Sequence, residues 1–322
     1  MPVKMGRGLG LLLLALVLSP ASSAELSHWP IEPDRARALL QDAPFEIRAE
    51  KRTEQGTSGT RKLELYFPAQ KITLYAKWKE VPSDGDGINN SPRKEIAADA
   101  LQRLLFAEKD YVAPPTVLRC IPMEEVPEGM RPRKPNIAGT TCVLGTLSLW
   151  MDGVEVPEQL WSPKRFEKDA DYARAMADLN LFTYMVNHRD GRSGNLLVAA
   201  HPQKFRAFAI DNGISFNSRI FNFAVMNWDS MRVPALPRDI VERLRAITPE
   251  QIDGLGVVAE VRADRSGVLR STEHGPNLDP EEGARQAPGV MQMGLTEREI
   301  EKLHERVHEM LERIDAGKVR IF

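Results

Sequence analysis

The stretch from Asn195 to Gly213 constrains this chain more than any other. Two short runs, Leu196 to Ala200 and Phe205 to Ile210, flank the turn residues His201-Pro202-Gln203-Lys204, which is the pattern of a β-hairpin. Asn195 immediately precedes the first run and Asp211 immediately follows the second. Pairing the strands brings one amide and one carboxylate to the same open end. An oxygen from each can share a hard cation such as Mg2+, which usually keeps waters and substrate phosphates in the rest of its shell. Asp190 lies five residues before Asn195 on a glycine-containing loop, where a carboxylate can orient a hydroxyl and accept its proton. Each piece also has a plainer reading. Asp211-Asn212-Gly213 is a turn signal in its own right, and Asp190 and Asn195 read equally well as solvated loop residues.

The two ends of the chain bound the setting. Lys4 and Arg7 are followed by an apolar run from Leu9 to Leu18, then Pro20 and the small residues Ser22-Ser23-Ala24. This is the layout of a secretory signal peptide over 1–24, since a spanning helix needs about 20 apolar residues and this run is roughly half that. Export to a periplasm, the exterior or a secretory-pathway lumen is expected, with no transmembrane segment further on. The formal charge is -2 with Lys4 and Arg7 counted, so the balance does not favour nucleic acid. The remaining chain suffices for two compact lobes or one large domain.

Strand patterns are expected at Phe45 to Ala49, Lys62 to Phe67 and Ile72 to Lys79, with Gly56 and Gly59 in the loop between the first two. Ser91-Pro92 is a helix start, Ser as N-cap and Pro in the first turn, and Ile96, Ala97, Ala100, Leu101, Leu104 and Leu105 form one apolar face. Further strands are expected around Val117 to Ile121 and Cys142 to Trp150. Beyond Gly153 the patterns turn helical, at Asp171 to Val186, Pro237 to Ile247 and Thr296 to Ile314, with the hairpin as the one clear β feature. Residues 264–294, rich in charge, Gly and Pro, read as a long irregular loop. The fold class expected is α+β.

His188-Arg189-Asp190 followed by Asn195-Leu196-Leu197-Val198 resembles the protein-kinase catalytic loop, His-Arg-Asp, four residues, then Asn. The resemblance implies a two-lobed kinase-like fold, a β-rich N-lobe with one helix over 25–150 and a mainly helical C-lobe over 151–322. It implies Asp190 as catalytic base, Asn195 and Asp211 as metal ligands, and Arg192 in the part that a Lys plays in many Ser/Thr kinases, or simply a surface Arg. Lys77, on the third strand and 18 residues after Gly59, matches the Lys that holds the nucleotide phosphates. Glu95 in the following helix matches its carboxylate partner. Taken singly, Lys77 and Glu95 also read as solvated residues. Gln55-Gly56-Thr57-Ser58-Gly59-Thr60 stands where the phosphate-covering loop would be, without the full glycine signature.

Asn212 in place of the usual Phe, and the lack of an Ala-Pro-Glu, mark an atypical branch. Glu95-Ile96-Ala97-Ala98 through Leu105, then Val112-Ala113-Pro114-Pro115, is similar to the secretory-pathway kinases of the Golgi casein kinase and Four-jointed type. Type II phosphatidylinositol 4-kinases share Ile210-Asp211-Asn212-Gly213. The resemblance implies ATP or GTP with Mg2+ or Mn2+, and transfer of the γ-phosphoryl group to a hydroxyl on protein Ser/Thr, lipid or sugar. A pseudokinase that only binds nucleotide or a partner is the binding-module alternative. Cys120 and Cys142 fall on strands that neighbour each other in such an N-lobe, so they are either one disulfide or two buried thiols. His304-Glu305-Arg306-Val307-His308 fits the zinc metalloprotease motif and also a surface helix that contains two His.

Overall fold

The computed structural model describes residues 29–53, 59–87, 91–192, 194–201, 204–218 and 228–322. The expected signal segment 1–24 and Gly56 lie outside them. Helix α1 (Pro33–Asp42) leads into β1 (Glu46–Arg52), β2 (Arg61–Phe67) and β3 (Ile72–Glu80). After helix α2 (Pro92–Leu105), β4 (Thr116–Pro122) and β5 (Cys142–Leu149) complete an antiparallel sheet of order β1-β2-β3-β5-β4. Alternation along β2 and β3 buries Leu63, Leu65, Phe67, Leu74, Ala76 and Trp78 on one face. Lys77 and Lys79 share the other face with Ser148 and Thr146, their register partners on β5. Gly145 is required where the sheet carries Trp78, because a Cβ there would sit 2.3 Å from the indole. Cys120 and Cys142 are bonded as a disulfide, with Cα atoms 5.6 Å apart across β4 and β5.

Helix α2 departs from the single apolar face expected of it. Arg93, Lys94, Glu95, Asp99 and Gln102 are buried along with Ile96, Ala97, Ala100 and Leu101, while Leu104 is only partly buried. The polar residues are links to the surroundings. Asp99 receives both arms of Arg37 from α1 at 2.8 Å, and Gln102 holds the backbone of Val112 and Ala113 at 2.8–3.0 Å. Ser91 occupies the N-cap position but does not cap with its side chain. Its hydroxyl donates to Asp86 instead, and its backbone N–H donates to Gly213 O at 3.1 Å.

Ser162 and Asp169 cap α3 (Pro163–Lys168) and α4 (Ala170–Met185) through their side chains. The hairpin β6 (Leu196–His201) and β7 (Lys204–Ala209) packs on α4. His201 pairs with Lys204, so the strands run closer to the turn than the expected four-residue connection. Ala209 N donates to Val112 O at 2.8 Å, which ties the hairpin to the segment that Gln102 fixes.

The last third holds β8 (Ala235–Leu236), α5 (Arg238–Ala246), α6 (Pro249–Asp253), β9 (Ala259–Ala263), β10 (Leu269–Ser271), β11 (Ala284–Ala287), β12 (Val290–Met293), α7 (Glu297–Asp315) and β13 (Arg320–Ile321). The irregular loop expected over 264–294 is corrected by an antiparallel sheet of order β10-β9-β12-β11. Its strands are three to five residues long and mix charges with apolar positions, too short for period-two alternation to stand out. Tertiary packing sustains them instead. Val261, Leu269, Met291 and Met293 form one cluster with Val81, Ile96, Leu118 and the disulfide. Among the described residues, no helix is long and apolar enough to cross a membrane.

Candidate functional site

The hairpin brings its flanking residues together as its register requires. Leu196 pairs with Ala209, and Ile210 N donates to Asn195 O at 2.8 Å, so Asp211 emerges beside Asn195. The loop from Asp190 to Asn195 is closed tightly. Arg192 N donates to Asp190 O at 2.7 Å, Asn195 N donates to Arg192 O at 3.0 Å, and Gly194 takes φ +100°, a conformation glycine adopts freely. The Asn195 amide donates to Asp190 O at 2.8 Å and to Asp190 Oδ2 at 2.9 Å. With its amide nitrogen thus engaged, the polar atom it has left to offer is an acceptor oxygen. Arg192 Nε lies 3.3 Å from Asp190 Oδ1, with its side chain about half exposed. Asp190 itself is buried.

His188 is the spacer beneath this loop. It is fully buried, its Nδ1 accepts from Asp190 N at 3.3 Å, and its Nε2 faces Ile210 O at 3.4 Å. That pairing fits the neutral ring protonated on Nε2, and burial lowers the imidazole below its ordinary pKa. Arg189 joins the loop to the segment after Gly213: its N–H donates to Ile214 O at 2.9 Å and its guanidinium to Ser218 O at 3.0 Å.

Lys77 connects the two halves of the site. Its Nζ lies 3.1 Å from Glu95 Oε2 and 2.5 Å from Asp211 Oδ1. Burial alone would lower the lysine, but the carboxylates of Asp211 and Glu95 outweigh it and hold Lys77 above its ordinary value. The same contact holds Asp211 below the usual carboxylate range. Asp211 has φ +56°, a left-handed conformation that Asp tolerates better than most residues. Asn212 is buried beside it, with Oδ1 lacking a partner.

Among the described residues, no three His, Cys, Asp or Glu side chains cluster as metal ligands. A hard cation at this site would draw on the Asn195 amide oxygen and the Asp211 carboxylate, and complete its shell with water and phosphate oxygens. The donor chemistry fits that role.

Lys79 belongs to none of the motifs in the sequence. It shares the Lys77 face of β3, is buried, and lies 3.9 Å from Glu95 Oε1, with burial lowering its pKa. Period-two spacing from Lys77 was the signal that could have found it. Gly59 closes the β1–β2 connection at φ +73°. His304, partly buried, and His308, exposed, lie on α7 and face different carboxylates, Asp253 at 2.8 Å and Glu312 at 3.2 Å.

No protein-family model matches the sequence, and no curated protein matches it. A solved structure of hydra Fam20 with sugar is similar to this chain at 16% identity, with a TM-score of 0.51, over 85% of this chain and 86% of that one. The likeness extends over most of the chain and shows a fold like that of hydra Fam20.

Proposed function

We propose that this chain is an exported kinase that transfers the γ-phosphoryl group of ATP or GTP to a hydroxyl acceptor. The observation that carries the reading is Lys77, partly buried and held between Glu95 and Asp211, with Asp190 and Asn195 locked together at the mouth of the hairpin. The five-stranded sheet with α2 acts as the N-lobe, residues 25–150, and the hairpin and α4 form the centre of a C-lobe over 151–322. Export through the segment 1–24 belongs to the same proposal.

In this reading Lys77, oriented by Glu95, binds the α and β phosphates. Asn195 and Asp211 would hold Mg2+ or Mn2+, which would neutralise charge on the phosphates. Asp190 accepts the proton of the acceptor hydroxyl as its oxygen bonds to the γ-phosphorus. The bond from that phosphorus to the bridging oxygen breaks, and the nucleoside diphosphate leaves with the electron pair. Arg192 lies beside Asp190, with Nε 3.3 Å from Oδ1, where it can help to orient the carboxylate. Protein Ser/Thr is the favoured acceptor class, with lipid and sugar hydroxyls as the other two.

The test separates chemistry from binding. Asp190→Ala is expected to keep metal-dependent nucleotide binding and lose γ-phosphoryl transfer by about two to four orders of magnitude. Asp211→Ala is expected to lose the binding as well, because it removes a cation ligand. Radiolabelled transfer is read separately in protein, lipid and glycan fractions. Wild-type chain that binds nucleotide and labels nothing, with Asp190→Ala indistinguishable from it, would mean a binding module.

A further inference from the structure

The first turn of α2 is held from two sides. Glu95 faces Lys77, whereas Arg93 and Lys94 reach Glu299 in the first turn of α7. Arg93 places one guanidinium nitrogen 2.5 Å from Glu299 Oε2 and another 3.2 Å from Oε1, and Lys94 Nζ lies 3.0 Å from Oε1. Arg93 also donates to Gly294 O at 3.2 Å and has its Nε 2.8 Å from Asp86 Oδ2. The backbone leading into β11 closes over it at Gly283, where a Cβ would come within 2.2 Å of Nε. Arg93, Lys94 and Glu299 are all buried, at the wall of a cavity of about 730 Å³.

Helical geometry makes this a mechanical link. Arg93 and Glu95 are two residues apart, about 200° around the helix axis, so they project to opposite sides of one turn. A rotation or outward swing of α2 that separates Arg93 from Glu299 must also move Glu95 relative to Lys77. A different contact points the same way. Ile96, one residue past Glu95, packs into the cluster of Val261, Leu269, Met291 and Met293. The helix is therefore seated on the carboxy-terminal sheet and pinned by α7.

We propose that Glu299 is a positioning residue for the phosphate-binding pair: by clamping Arg93 and Lys94 it holds α2 where Glu95 meets Lys77. This rests on the kinase reading above for its functional consequence, but the geometric claim is independent of it. The chain carries its own brace for α2.

Glu299 has a second task that the test must separate. It is the N3 residue of a capping box with Thr296, a place Gln fills as well as Glu. Glu299→Gln thus keeps the cap and removes the charge, and Arg93→Met breaks the same clamp from the other end. The first readout needs no nucleotide: the rate at which an amine-reactive reagent modifies Lys77 in the mature full-length chain, followed by peptide mass, with Glu95→Gln as the released reference. Both variants are expected to speed labelling several-fold towards that reference. The second is steady-state kinetics, in which nucleotide KM should rise by about tenfold with a smaller change in kcat. The effects of the two substitutions should combine to less than their sum, since both remove the Arg93–Glu299 contact while each also removes contacts of its own.

Labelling and KM that match wild type in both variants would overturn the clamp. If wild type binds no nucleotide while Lys77 labelling still responds, the clamp stands and the kinase reading falls. If transfer depends on Asp190 while labelling and KM are unmoved, the reverse holds. Should Glu299→Gln fail to fold, Glu299→Asp keeps the charge with a shorter reach and is expected to move both readouts in the same direction by less.

Discussion

Asp178, on α4, shows what burial does to a single charge. Its carboxylate lies 2.9 Å from Arg174, but the same guanidinium also serves Asp110 at 3.1 Å and Asp239 at 2.8 Å. One Asp178 oxygen is buried without a hydrogen bond. Burial pushes this carboxyl up to about 7, against the pull of Arg174. The folded state therefore retains a proton that the unfolded chain, with the ordinary value of 3.8, releases earlier. This contribution to stability is complete below about pH 4 and is lost as pH rises towards 7, by about 1.4 kcal/mol per unit. Asp178→Asn keeps the shape without the titration. Urea unfolding of the variant is expected to lack the decline that wild type shows across that window, and parallel pH profiles would count against a proton on Asp178. At Lys77 the balance goes the other way, because the carboxylates of Asp211 and Glu95 outweigh burial and hold the amine above its ordinary value.

Among the elements, β4 and β5 carry the one covalent link between strands. Cys120 and Cys142 are 22 residues apart, a loop whose closure in the unfolded chain is worth about 3 kcal/mol on a chain-entropy basis. Leu269 N, at the start of β10, donates to Cys142 Sγ at 3.3 Å, so the disulfide also sits where the carboxy-terminal sheet docks. Cys120→Ser with Cys142→Ser is expected to lower stability by about 2–4 kcal/mol in urea unfolding, with β10 losing hydrogen-exchange protection before the hairpin does. Intact mass after alkylation without reductant provides the control. Two alkylated thiols in protein recovered from an oxidising compartment would contradict the bond. The hairpin is a different kind of element, held by register and by Ala209 and Ile210 rather than by a covalent staple.

Across the whole molecule, the site depends on segments far apart in sequence meeting at α2. Lys77 from β3, Asp211 after β7, Gly213 in the turn and Glu299 from α7 all contact its first turn or the residue before it, directly or through Lys77. A ligand that bridges these segments should stabilise the entire fold. ATP or GTP with Mg2+ or Mn2+ at 100 times its Kd is expected to add about 2.7 kcal/mol, seen as a raised thermal midpoint that needs the cation. No shift with any such nucleotide and metal pair would sink the kinase reading. A shift with Zn2+ alone that disappears in His304→Ala would favour the metalloprotease motif instead.

The sequence alone determined the pieces whose signal is local. The hairpin between Asn195 and Asp211, the three first strands, the start of α2 at Pro92 and the amphipathic α7 all rest on periodicity and turn chemistry within a few residues. The order of Lys77, Glu95, Asp190, Asn195 and Asp211 was legible as well, because it matched a known arrangement of motifs. Only the tertiary structure decided what those residues touch. The sheet over 259–293 consists of strands too short to announce themselves, and it forms because Met291, Met293 and Val261 find Ile96 and Leu118. Ser91 reads as a side-chain cap, yet Asp86 and Gly213 compete for its hydroxyl and its N–H. Glu299 reads as the ordinary third residue of a helix start. Its grip on Arg93, 206 residues away in sequence, follows from burial of two charges that neither local pattern could have paired.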